Sequence, residues 1–378
     1  MKFLLVGSGS RGDAQPMIAL ALGLCAAGHE AIVAARPMYG RDAAELGVSF
    51  EPVGVDAADF AAAQGGDAKG VLAFLEQELE AQLGRLPDVA AKVDRVIGAG
   101  MSFGARSVAE AVGAPFVAVV YTPNVLGEDR PRLPRRLDQI VQRWRALRGL
   151  APMQTDLMRH AHPPERALVA ADPELSGAPL TGLSWPATGA LLLDDPRPLG
   201  ADVEAFLSAG ETPIYVGFGS MEGTVPALGT GLVRDAVEAA GCRAIVTGIG
   251  ASAGRILRIA GASHHKLFPR VKAIVHHGGA GTTAAAARAG VPQVIVPHAF
   301  DQPFWAAQAH RLGLAPPPIS AHRVDAIALA QAIRQALEDP RIQACARALG
   351  GALAARRLQR CPVDAATAIL TSELPALR

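Results

Sequence analysis

Short apolar runs alternate with helical spacing through the first third of the chain. "KFLLVG", "AIVAA", "VSFEPV", "RVIGAG" and "PFVAVVY" read as strands. Between them "PMIALALGLCAAG", "GRDAAELG", "KGVLAFLEQELEAQLGRL" and "SFGARSVAEAVG" carry apolar residues at helical spacing and often stop at glycine. The strands are apolar throughout instead of alternating with polar positions, which predicts a parallel sheet covered on both faces. The pattern lapses from Gly127 to Gly210, a stretch rich in proline and arginine with a helix-like "RLDQIVQRWRALRGL" inside it. It then restarts with "PIYVGFGS", "CRAIVTG", "AIVHH" and "PQVIVP", and from Val324 onward only helices are expected. The expectation is an α/β chain of two doubly wound, Rossmann-like halves, residues 1–205 and 206–378, with the last helix packing back on the first domain.

Length and composition fit that division. The 378 residues are half apolar, enough for two cores. Lys and Arg number 36 against 35 Asp and Glu, so no global field argues for a nucleic acid partner. The four cysteines (Cys25, Cys242, Cys345, Cys361) show no CxxC spacing and are expected to be reduced core thiols. The opening "MKFLLVGSGSRGD" is too short in apolar residues for a signal core, and no run reaches the length of a membrane span. A cytoplasmic protein is expected.

Chemistry concentrates where "AIVHHGGAGTTAAAARAG" leaves a strand through glycines into a helix. Gly278, Gly279 and Gly281 remove side chains where a ligand can approach backbone N–H groups. Thr282 and Thr283 stand where a capping hydroxyl belongs, and His276 or His277 can donate a ring N–H to a phosphate oxygen. Together these predict a diphosphate cradle. The next strand leads into "VIVPHAFDQPFWAAQ", so Asp301 and Gln302 are expected at the same crevice. A carboxylate beside an amide suits adjacent sugar hydroxyls. "GFGS" brings Gly219 and Ser220 to the same rim.

The first half contains a competing signal. "GSGSRGD" holds Gly7, Gly9 and Gly12 in GxGxxG spacing between a strand and a helix, and the next strand ends at Arg36, where an NADP 2′-phosphate would be read. An NADP-dependent oxidoreductase is therefore the alternative. Asp13 opposes it: a carboxylate in the first helical turn sits where a pyrophosphate would bind. With the diphosphate in the second half, Asp13 is expected to face the anomeric carbon as general base.

"HHGGAGTT" followed by "PHAFDQPFW", and preceded by "LFPRV" and "GFGSM", resembles the nucleotide-sugar-dependent glycosyltransferases of the bacterial antibiotic and sterol glucosyltransferase type. The resemblance runs over about residues 2–312 and is strongest over 220–306. It implies the GT-B fold, two facing Rossmann-like domains with a cleft between them, and an inverting, metal-independent transfer. It implies His276, His277, Gly279, Gly281, Thr282 and Ser220 on the donor diphosphate, and Asp301 with Gln302 on the donor sugar. "GSRGDAQP" is similar to the first loop of these enzymes, which implies Asp13 as the base and Ser10, Arg11 and Gly12 as the acceptor loop. Lys266 stands where such proteins commonly carry an aromatic residue, leaving uridine and thymidine donors both open.

No DxD triplet occurs and no metal or cofactor is expected; the co-substrate is a UDP- or TDP-hexose. The acceptor is expected to be small, and apolar "VLAFL" favours a hydrophobic one. Residues 128–148 place seven arginines around Trp144. Three readings stay open for them: an anionic membrane surface, an acidic acceptor, or a solvated helix whose Arg stems cover apolar neighbours. Monomer and homodimer are both open.

Overall fold

The computed structural model describes residues 1–55, 68–128, 130–177, 183–219, 230–248 and 250–374. The chain divides into two compact units. The first holds Met1–Pro173, Ala178–Leu193 and Arg360–Arg378; the second holds Glu174–Gly177 and Asp194–Gln359.

In the first unit β1 (Lys2–Ser8), β2 (Glu30–Ala35), β3 (Ser49–Pro52), β4 (Arg95–Gly100), β5 (Phe116–Val120) and β6 (Ala167–Val169) form one sheet in the order β3-β2-β1-β4-β5-β6. Every pair is parallel. Helices α1 (Arg11–Ala26), α2 (Gly40–Glu45), α3 (Ala68–Ala90), α4 (Ala105–Val112), α5 (Arg135–Ala146) and α6 (Leu157–Ala161) connect and cover the strands. Phe3, Leu5, Val33, Ile97, Val117 and Val119 of the sheet bury against Met17, Ile18, Leu20 and Leu24 of α1. That packing explains the apolar strands: both faces of the sheet are inside. The strand order reverses between β1 and β4, and α1 starts at that switch point.

The second unit opens with α7 (Pro173–Ser176, beginning one residue inside the first) and α8 (Ala201–Ser208). Its parallel sheet comprises β7 (Ile214–Gly217), β8 (Ala244–Thr247), β9 (Ile256–Ile259), β10 (Ile274–His276) and β11 (Gln293–Ile295), ordered β11-β10-β7-β8-β9. Around it lie α9 (Thr230–Ala239), α10 (His264–Leu267), α11 (Ala280–Ala289), α12 (Gln302–Arg311), α13 (Ala326–Glu338) and α14 (Pro340–Gln359). Here the order reverses between β7 and β10, which puts β10 and its glycine turn at the switch point. The last helix, α15 (Pro362–Thr371), belongs to the first unit, where Val363 and Thr367 lie over Gly23 of α1.

Several details differ from the sequence reading. The units part at Leu193 and Asp194, earlier than residue 205, because Leu199 and Val203 at α8 join the second core with Tyr215, Ile245 and Phe268. Strands β6 and β9 were not expected; both are short edge strands. The cysteines are free, but Cys25 is exposed and the other three are only partly buried, so none is a core thiol. In the arginine-rich segment Arg145 is buried against Glu110, Ser107 and the Ala151 carbonyl. The Trp144 indole donates to the Leu83 carbonyl at 3.0 Å, and Arg148 lies over its ring. Among the described residues no helix is long and apolar enough to cross a membrane.

One close approach fixes the helices behind the second switch point. A Cβ on Gly350 of α14 would stand 2.7 Å from the Gly290 Cα and 2.8 Å from the Gly290 nitrogen, just past α11. Both are backbone atoms and cannot swing aside. Gly350→Ala should therefore destabilise the protein by about 1–3 kcal/mol through overpacking, outweighing the ~1 kcal/mol gain in helix propensity. Thermal unfolding checks this; an unchanged or raised Tm would show that the two helices separate at little cost.

Candidate active site

The carboxyl ends of three neighbouring strands align in register: Gly217 of β7 pairs with His276 of β10, which pairs with Ile295 of β11. The loops that follow meet in one place. A side chain on Gly219 (φ +56) would press on the His277 ring, and one on Gly278 (φ +90) would strike Ile295 and the Gln302 backbone. These positions need glycine because the backbone is left-handed and the space is taken.

The turn delivers the chain directly into α11. Gly279 is the N-cap, no side chain caps the helix, and no acidic residue stands in the first turn. A Cβ on Gly281 would meet nothing within 4 Å. Peptide N–H groups and the positive end of the helix dipole thus lie at the switch point, an arrangement whose polarity suits an anion. Thr282 is partly exposed in that first turn. The threonines are not caps, as the sequence suggested: the cap is Gly279, and the Thr283 hydroxyl donates back to the Gly279 carbonyl at 2.9 Å.

His276 corrects the expected ligand set. It is fully buried, its Nδ1 accepts from the Gly278 N–H at 3.0 Å, and its Nε2 lies 2.9 Å from Gln293 Oε1. Both ring nitrogens are engaged inside the protein, so this histidine builds the turn and has no donor left for a phosphate. Burial, offset in part by the Gln293 bond, pulls its pKa to about 4. His277 remains at the rim: its Nδ1 has no partner among the described residues, and burial together with the His276 and His298 rings pulls its pKa to about 3. Ser220 lies outside the described residues.

The loop after β11 leads to Asp301 and Gln302. Gln302 is 4% exposed, and its Oε1 accepts the backbone N–H groups of His298 at 2.7 Å and Ala299 at 3.1 Å. Its carbonyl oxygen thus shapes the loop, contrary to the expectation that the whole amide serves the ligand. Asp301 is partly exposed, with one carboxylate oxygen accepting the Trp305 indole N–H at 3.1 Å. Lys266 donates to the carbonyls of Pro196 and Arg197, tying α10 to the segment entering this unit.

In the first unit the GxGxxG turn looks alike in sequence and is filled. Asp13 is residue N3 of α1, and its Oδ2 accepts the Ser10 N–H at 2.6 Å and the Ser10 hydroxyl at 3.0 Å. The Ser10 hydroxyl in turn accepts from Gly12, while Arg11 and Gly12 are exposed. Side chains at Gly9 (φ +137) or Gly100 (φ +61) would collide with the Asp13 carboxylate, so the concavity a pyrophosphate would use is occupied by protein. Tyr121 donates to the Asp13 carbonyl at 3.1 Å. Its phenol is pushed up by burial and then by the Asp13 charge.

Arg36 removes the dinucleotide alternative. Its side chain is fully buried, 3.0 Å from Glu78, and stacked 4.7 Å over Phe74. Glu78 also accepts from Ser8 and from the Val55 N–H, and Gln82 bridges Ser8 to Gly104. This network was not read from the sequence; an Arg after one strand and a Glu within a helix give no hint that they meet. His298 was also passed over, although it sits in the quoted "PHAFDQPFW".

The buried histidine has a consequence for stability. His276 titrates near its ordinary 6.5 when unfolded and near 4 when folded, so the unfolded chain binds more protons between those values. Stability is therefore intact above pH 6.5 and falls as pH drops toward 4, by about 3 kcal/mol from this group. His276→Asn, which keeps an acceptor for Gly278, should make the chemical-denaturation profile less steep across that window, the other buried histidines keeping their share; parallel profiles would contradict the assignment.

Residues 253–369 match the family described as erythromycin biosynthesis protein CIII-like, C-terminal domain. The vancomycin aglycone glucosyltransferase of Amycolatopsis orientalis is 35% identical over 349 residues, covering 83% of this chain and 85% of that protein. The sterol 3-beta-glucosyltransferase UGT80A2 of Arabidopsis thaliana is 28% identical, covering 93% of this chain and 63% of that protein. Among solved structures, the Streptomyces sp. SF2575 glycosyltransferase SsfS6, complexed with thymidine diphosphate, superposes with a TM-score of 0.68 at 20% identity, over 98% of this chain and all of that one. With two parallel-sheet Rossmann-like units, the GT-B architecture, and these relatives, the chain belongs to the nucleotide-sugar glycosyltransferases of antibiotic and sterol type.

Proposed function

We propose that this enzyme transfers a hexose from a UDP- or TDP-sugar to a hydroxyl of a small apolar acceptor, with inversion and with Asp13 as base. The observation that carries the reading is the contrast between two similar turns. The N-terminus of α1 is filled by the protein's own carboxylate, whereas that of α11 has a glycine cap and no acidic residue in its first turn. The diphosphate belongs at the second, on the N–H groups around Gly281 and Thr282, with Gly279 admitting it and His277 at the rim. Ser220 is carried here from the family resemblance alone. Asp301 takes sugar hydroxyls, and Gln302 contributes by holding its loop.

In this reading the acceptor oxygen attacks the anomeric carbon on the side away from the diphosphate. The C–O bond to the diphosphate breaks as the new one forms, and Asp13 takes the acceptor's proton. Negative charge building on the departing diphosphate is met by fixed N–H dipoles that need no reorganisation. The α11 terminus thereby supplies stabilisation that a cation would otherwise provide. The Ser10 bonds on Oδ2 hold Asp13 in a single orientation. The loop Ser10–Arg11–Gly12 would border the acceptor.

Two features bear on the donor and acceptor. SsfS6 was solved with thymidine diphosphate, which favours testing TDP-sugars alongside UDP-sugars. By name one relative glucosylates the vancomycin aglycone and the other a sterol, and the sterol is the precedent for an apolar acceptor.

Mass spectrometry of a matrix of UDP- and TDP-hexoses against polyphenol, macrolide and sterol acceptors tests the reaction directly, with NMR reporting the anomeric configuration of product. Inverted configuration is expected; retention would contradict the mechanism. Asp13→Asn keeps an acceptor for the Ser10 N–H, so it should fold normally and bind UDP or TDP unchanged while turnover falls by about 10²–10⁴-fold. Undiminished turnover would remove Asp13 as base.

A further inference from the structure

The loop joining β11 to α12 is tied together by its own hydrogen bonds. Gln302 Oε1 gathers the N–H groups of His298 and Ala299, and the Gln302 N–H returns to the Ala299 carbonyl at 3.2 Å. Phe300 between them has φ +58, the one non-glycine residue with positive φ among the described residues. For a bulky side chain this costs energy and persists only where the surroundings impose it. The residue is 69% exposed, so burial of its side chain does not account for the strain.

Within this loop one polar atom is left over. His298 Nδ1 lies 2.8 Å from the Val296 carbonyl, which can only accept, so Nδ1 carries the proton. Burial holds this ring below its ordinary range, which keeps it neutral. The other nitrogen, Nε2, is then a bare lone pair. It is enclosed, has no partner among the described residues, and stands on a ring 5.9 Å from Phe218 at the end of β7.

We infer that His298 reads the transferred hexose, its Nε2 accepting a hydrogen bond from one sugar hydroxyl. The chemistry selects this ligand over a phosphate: a lone pair repels an acceptor-only anion and matches an O–H donor. Three residues on stands Asp301, the residue placed on sugar hydroxyls in the proposed function. A donor lacking the matching hydroxyl would leave Nε2 buried without a partner, which is the strongest form of discrimination such a site has. The inference rests on the proposed donor site at α11.

The test measures the affinity added by the sugar, as the ratio of UDP to UDP-glucose dissociation constants and likewise for TDP, by calorimetry. His298→Asn preserves a donor at the Nδ1 position and deletes the Nε2 acceptor. His298→Gln keeps an acceptor with the reach of Nε2. UDP and TDP should bind both variants as they bind wild type. The sugar's added affinity should fall roughly five- to tenfold in His298→Asn and be largely retained in His298→Gln. In wild type one monodeoxy-glucose donor should lose a similar factor, and His298→Asn should be indifferent to that deoxygenation.

An unchanged sugar ratio in His298→Asn, an equal loss in both variants, or a wild type indifferent to every deoxygenation would overturn the assignment while leaving the nucleotide site intact. Failure of wild type to bind either UDP or TDP would instead overturn the donor site and this inference with it.

Discussion

Every helix begins with peptide N–H groups that have no partner inside the helix, and something must answer them. In this chain two glycine-rich turns carry a strand into a helix at the switch point of a parallel sheet, and they answer in opposite ways. At α1 the answer is internal: Ser10 and Asp13 cap each other, and the Asp13 carboxylate fills the hollow between Gly9 and Gly100. At α11 the cap is a glycine, the first turn has no acid, and among the described residues no atom lies within 4 Å of where a Gly281 side chain would begin. One turn carries its own negative charge, and the other carries none.

The surroundings of α11 serve that opening. His276 and Gln293, both fully buried, lock the strand end to the turn through Gly278 and Thr283. Because the His276 ring stays neutral, it shapes the turn without adding a second cation that would vary with pH. Gly350 lets α14 approach Gly290 at the far end of α11, so the helix is held at both ends. After the neighbouring strand, Gln302 at the start of α12 holds the loop that carries His298, Phe300 and Asp301. At His276 and at Gln302 a buried polar group fixes backbone, and the backbone then carries a different group at the rim.

Much of this was legible in the residues because it follows periodicity. Fully apolar runs such as "FLLV" and "AIV" identify strands buried on both faces, and the glycine turns announce both helix starts. What was missed has physical reasons. Strands β6 and β9 are edge strands of three and four residues, too short for a pattern to stand out from irregular chain. The boundary at Leu193 depends on which core Leu199 and Val203 join, a tertiary choice that spacing does not record. Residue type and the family resemblance placed His276 and Gln302 on the ligand. Their hydrogen bonds depend on partners, Gln293 and the His298 backbone, that only the fold brings near. Arg36 misled for the same reason, since its partner Glu78 lies far along the chain in α3.

The contrast between the two turns can be tested by making the open one resemble the filled one. Thr282 holds in α11 the N3 position that Asp13 holds in α1, so Thr282→Asp installs a carboxylate where the diphosphate is held to bind. Calorimetric titration of this variant with UDP and TDP is the direct measurement. The account predicts that affinity for both collapses by at least tenfold, while Tm stays level or rises because an acid in a first turn stabilises a helix by about 0.3–1 kcal/mol. Wild-type affinity in Thr282→Asp would mean that the anion docks elsewhere, and the account of this site would be wrong.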